Sequence, residues 1–175
     1  MTKAIIFLDV DGVLNRVDDR RWGQLLTLPQ PHQELPLVTE YNICAMLNRV
    51  LYYSPHIKAV VSSTWRKIAN DKDHFSSLTG IDAEFIHEDW TTCHMGDRGD
   101  QVIEWLYRHK EVEQHVCLDD TKYNFDEYKD RINLVEINAL YGLTFEDINK
   151  AFKLFGLRVN RDYTTSSLGG PIKYQ

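Results

Sequence analysis

Phe7-Leu8-Asp9-Val10-Asp11-Gly12-Val13-Leu14-Asn15 is the stretch on which the reading of this chain turns. It follows the apolar run Ala4-Ile5-Ile6-Phe7-Leu8, which predicts a strand buried on both faces. Asp9 and Asp11 then stand at the C-terminal end of that strand, where open α/β sheets hold their ligands. Gly12 allows a sharp turn out of the strand. Two hard oxygen ligands at a rigid strand end suit Mg2+, and a carboxylate beside such an ion can serve as a nucleophile. Asp and Gly are also ordinary turn residues, so the motif needs support from elsewhere in the chain.

That support comes from two further strand ends. Ile57 to Val61 is an apolar run closed by Ser62-Ser63-Thr64, and Val116-Cys117-Leu118 is closed by Asp119-Asp120. Between the first two predicted strands, residues 16–36 read as an irregular excursion, and Val38, Tyr41, Cys44, Leu47 and Leu51 recur at helical spacing. Short helical pieces are expected around Trp65–Asn70 and His74–Leu78, a strand over 82–86, and a helix from Asp100 to Arg108 with Asp100 as its cap. Ile132 to Ile137 reads as a last strand, and Thr144 with Asp147 opens a helix that Gly156 ends. Strands alternating with helices predict βαβ units and a mostly parallel sheet, whose strand ends converge on one edge.

Four aspartates gathered there would repel one another and call for positive charge. A divalent cation supplies it, and the fitting substrate is an anion that shares the cation, most simply a phosphoryl group. Strand-end hydroxyls and turn N–H groups can hold phosphate oxygens, with Arg98, Arg66 or Lys67 as basic partners.

The composition is that of one ordinary globular domain of 175 residues, with 43% hydrophobic and 26% charged residues. A net charge of −6 argues against a broadly basic nucleic-acid face, though not against a nucleic-acid end entering a local site. Cys44, Cys93 and Cys117 lack metal or disulfide spacing and read as reduced thiols, Cys117 in the core. With no secretory leader and no run long enough for a membrane span, a cytoplasmic protein is expected.

In these motifs the chain resembles the haloacid dehalogenase (HAD) superfamily of phosphohydrolases over roughly residues 3–155. Asp9-Val10-Asp11-Gly12-Val13 is similar to its first signature, Val60-Val61-Ser62-Ser63 to its second, and Val116-Cys117-Leu118-Asp119-Asp120 to its fourth. Ser63-Thr64-Trp65-Arg66 is similar to the endings of small HAD domains linked to RNA-repair proteins. The resemblance implies a Rossmann-like three-layer α/β sandwich. It further implies that Asp9 is the nucleophile, forming an aspartyl-phosphate, and Asp11 the general acid and base. Mg2+ would be held by Asp9, the Asp11 backbone carbonyl and Asp120, with Asp119 as a further ligand or beside it. Ser63 is the preferred phosphate ligand, with Ser62, Thr64, Arg66 and Arg98 as further phosphate-binding candidates.

Neither residues 14–56 nor 67–97 leave room for a cap domain. A single capless domain over 1–157 is therefore expected, followed by a tail over 158–175. By family habit an open site favours bulky substrates, so the first expectation is a phosphorylated polynucleotide end. Trp22 and Trp65 are candidates to stack on a base, or else packing aromatics. A phosphatase of small molecules or phosphoproteins, and a HAD fold kept for binding or regulation without turnover, are the alternatives. A phosphate-receiver domain fits less well, because receivers lack a second catalytic Asp two residues after the first. The sequence points to no stable protein partner.

Overall fold

Ala4–Leu8 forms a strand, β1, that is buried on both faces along its whole length. In this computed structural model, which describes residues 3–17 and 39–159, β1 is the middle of five parallel strands. The chain runs on through α1 (Tyr41–Tyr52), β2 (Ile57–Val61), α2 (Lys72–Thr79), β3 (Ile86–Thr91) and α3 (Arg98–Arg108). It ends with β4 (Gln114–Asp119), β5 (Leu134–Glu136) and α4 (Phe145–Leu154). The sheet order is β3-β2-β1-β4-β5, so the chain builds outward on one side of β1, then crosses over to build the other.

Side chains alternate across β1 as a strand requires. Ala4, Ile6 and Leu8 join the larger core beneath α1, α2 and α4, with Leu47, Phe75 and Phe152. Ile5 and Phe7 face the opposite layer, where Val102 and Trp105 of α3 pack on them and Phe7 meets Trp105 edge-on at 5.4 Å. Each fully buried Ile, Leu, Val or Phe among them contributes about 1.5–3 kcal/mol. Helices on both faces of a parallel sheet make the predicted three-layer α/β sandwich. Among the described residues every element belongs to it, and there is no separate cap domain. None of the described helices is long and apolar enough to cross a membrane.

Two local expectations need correction, and one element is new. Residues 82–86 are not a strand: Ala83–Phe85 is a 3-10 turn, and the strand runs from Ile86 to Thr91. As an edge strand it is only partly buried and carries His87, Glu88 and Asp89, so it lacks the apolar run that marks a central strand. Asp100 is not the cap of α3; Asp97 is, and Asp100 is its partner in a reciprocal capping box. A 3-10 helix over Lys122–Tyr128 was not anticipated. The excursion expected over 16–36 lies, beyond its first two residues, outside the described residues, as do Trp22 and the tail from residue 160.

Candidate active site

Register brings the polar strand ends level. Leu8 pairs with Val61 on one side and Leu118 on the other, so the next residues, Asp9, Ser62 and Asp119, fall in one row. Backbone bonds hold that row together: the Asp9 N–H donates to the Leu118 carbonyl and the Ser62 N–H to that of Leu8, each at 3.0 Å. Asp9 follows β1 and Asp119 ends β4, the pair between which the direction of sheet building reverses. That is where open α/β sheets bind ligands. Asp120 turns toward them across Gly12. Gly12 has φ +79°, and a Cβ there would lie 2.6 Å from Asp120 Oδ2, so only glycine fits.

Asp9, Asp119 and Asp120 can each offer a carboxylate oxygen within 4.8 Å of the others. Arg98, the first residue of α3, reaches in from the capped helix start. Its Nη1 lies 2.7 Å from Asp9 Oδ2 and 2.5 Å from Asp119 Oδ2. Burial opposes the charge on Arg98, but the two carboxylates outweigh it and hold its pKa above the ordinary value. Burial, and then the charge of Asp9, push Asp119 up to about 7 against the pull of Arg98. Burial also raises Asp120, although the Thr121 hydroxyl donates to it. Arg98 contacts Asp9 and Asp119 but not Asp120, so one guanidinium faces a group of three carboxyls. An all-oxygen donor set of that kind fits Mg2+.

Asp11 lies beside this cluster with its carboxylate held from two sides. The Trp65 indole N–H donates to Oδ2 and the Asn15 amide to Oδ1, both at 3.0 Å. Trp65 is therefore a buried packing residue with a polar contact. Of the two readings offered for it, base platform or packing aromatic, the structure supports the second. Ser63 caps the 3-10 turn Thr64–Lys67 and is buried with Ser62, while Thr64 is exposed.

The Arg66 guanidinium is buried and donates to the carbonyls of Ser62 and Ser63, to Gln101 Oε1 and to His94 Nδ1. Gln101 in turn donates to the Gly96 carbonyl, just ahead of α3. Arg66 thus braces the turn after β2 against the start of α3, with four of its N–H bonds spent on protein, and Arg98 is the basic residue against the acidic cluster.

The structure brings Arg98 into contact with Asp9 and Asp119, gathers Asp120 with those two carboxylates, leaves the Asp11 carboxylate outside that group on Trp65 and Asn15, and places Ser62 and Ser63 just after β2. Sequence reasoning gave no role to Asn15, Thr121 or Gln101. Asn15 carried a signal, standing four residues after Asp11 in the opening motif, where a turn brings side chains together. The family described as the HAD domain in Swiss Army Knife RNA repair proteins matches residues 5–148. No curated protein and no solved structure was found to match the chain.

Proposed function

The chain belongs to the family of HAD domains in Swiss Army Knife RNA repair proteins, a phosphatase-type hydrolase fold, and from that premise we propose a Mg2+-dependent phosphomonoesterase working through an aspartyl-phosphate. One observation carries the reading: Asp9, Asp119, Asp120 and Arg98 meet at the strand-order reversal, with Asp11 held two residues beyond Asp9. Asp9, Asp119 and Asp120 would hold the ion, joined by the Asp11 carbonyl. When bound, it supplies charge to offset the phosphoryl oxygens.

In the first step a carboxylate oxygen of Asp9 attacks phosphorus. The bond from phosphorus to the ester oxygen breaks, and Asp11 gives that oxygen its proton. In the second step Asp11, now a carboxylate, takes a proton from water as the water attacks the aspartyl-phosphate. Inorganic phosphate leaves and both carboxylates return to their starting states. Arg98 and the Ser63 turn clasp the phosphoryl oxygens, and Arg98 offsets charge as it moves outward. Such a division of one difficult displacement into two suits phosphate monoesters, the slowest of the common esters to hydrolyse unaided.

The substrate we propose is a phosphorylated polynucleotide end. The absence of a cap among the described residues supports a bulky substrate, and the family's description supports nucleic acid. The test is release of phosphate, with Mg2+, from an aryl phosphate and from 3′- and 5′-phosphorylated oligonucleotides, with Asp9→Asn as the blank. Preferential release from an oligonucleotide end is expected. Release from the aryl phosphate alone would remove the substrate assignment, and silence on all three with Mg2+ bound would favour a binding module.

A further inference from the structure

Trp65 lies in the turn after β2, yet its indole reaches across to a residue 54 positions earlier in the chain, Asp11. It is 2% exposed and packs within the main core. A buried indole N–H needs an acceptor, and here it has taken a carboxylate oxygen. Asn15 completes the arrangement: its amide nitrogen donates to the other oxygen of Asp11, while its own Oδ1 accepts the Gly12 N–H at 2.9 Å. Each oxygen of Asp11 therefore has one fixed donor, and rotation of the carboxylate about either side-chain torsion would break at least one of these bonds. Each oxygen keeps a second lone pair on which a proton can sit. The indole is itself held from behind. The Trp65 backbone N–H donates to Ser63 Oγ at 3.4 Å, and neighbouring Arg66 ties the same turn to Gln101.

We propose that Trp65 is a positioning residue for Asp11, fixing through its indole N–H the orientation in which Asp11 passes protons to the leaving oxygen and from water. This rests on the phosphatase reading above. Proton transfer depends steeply on geometry, and among the described residues there is no cap domain to impose it. One contact also sets Asp11 in register with the Ser63 turn, so the proton donor and the phosphate clasp are located by the same few residues.

The test uses the full chain with Mg2+ and a series of phosphate monoesters, from an activated aryl ester to a simple alkyl ester. Asp9→Asn serves as the blank, and kcat/KM is measured because it reports the first chemical step. Trp65→Phe removes the N–H. Because it also leaves a small void, a second variant places 3-benzothienylalanine at position 65, which keeps the bicyclic shape and replaces N–H by sulfur. Both are expected to lose roughly 10- to 100-fold on the alkyl ester, part of what general acid catalysis supplies. Both should stay near wild type on the activated aryl ester, whose leaving group departs without a proton. In an Asp11→Asn background Trp65→Phe should cost nothing further, because the two act as one unit. Equal loss across the series, additivity with Asp11→Asn, or no loss in the benzothienyl variant would each overturn the role while leaving phosphatase activity standing. A wild type silent on every ester would overturn the phosphatase reading, and the role with it.

Discussion

Asp120 can approach Asp9 and Asp119 only because residue 12 has no Cβ. Gly12→Ala should cost roughly 1–2 kcal/mol for the left-handed backbone alone. It should also weaken Mg2+ binding by displacing the Asp120 carboxylate; calorimetric titration with an unchanged affinity would contradict that. Asp119 supplies a pH test. Folded, it keeps its proton up to about pH 7, whereas in an unfolded chain it loses it near about pH 4. Between those values the folded state binds more protons, so this group's contribution to stability falls as pH rises. Burial lowers His87 and His115, which act in the opposite sense, so the comparison needs Asp119→Asn as reference. Without metal, the Tm of wild type minus that of Asp119→Asn should fall between about pH 4 and about pH 7, and a flat difference would count against the raised value. The four aspartates were legible in the sequence because each ends an apolar run. The bond from Trp65 to Asp11 was not, since it depends on how a 3-10 turn aims one side chain over a long separation. The bonds of Arg66 were not legible for a related reason: its charge is visible in the sequence but the carbonyls it donates to are not.

Helix starts show how an element serves the site. Both α3 and α4 begin with a reciprocal capping box, Asp97 with Asp100 and Thr144 with Asp147. Asp97→Ala and Thr144→Ala should each cost about 1 kcal/mol in urea denaturation. Only α3 presents a residue to the aspartates, so Asp97→Ala should also reduce kcat/KM, and Thr144→Ala should leave it unchanged. Equal effects of the two on activity would show that the start of α3 does not place Arg98. The α4 box was legible because Thr-x-x-Asp precedes a clean apolar stripe. The α3 box was read three residues late: Asp100 and Asp97 are chemically alike, and Gly99 next to them argues locally against helix. The structure supplies the reason for that glycine, since a Cβ there would lie 2.4 Å from the Tyr128 ring packed on α3. That contact comes from the Lys122–Tyr128 segment, whose polar sequence gave no periodic signal. Strand β3 was misplaced because an edge strand need not be apolar.

At the scale of the whole molecule, the strand order makes the site. Three separate sequence motifs become one locus because parallel pairing in register brings Asp9, Ser62 and Asp119 to the same level. This much could be expected from the order of strands and helices, whereas the sheet order itself, with β1 central, became visible only in three dimensions. In the proposed mechanism Asp9 becomes phosphorylated during turnover. This is tested most directly in Asp11→Asn, where the second step has lost its base and the intermediate should accumulate. The variant is mixed with Mg2+ and an activated aryl phosphate, quenched, reduced with borohydride and mapped by peptide mass spectrometry. Homoserine is expected at position 9, as the reduction product of an aspartyl-phosphate. Turnover with unmodified Asp9, or a phosphoryl group on any other residue, would contradict that.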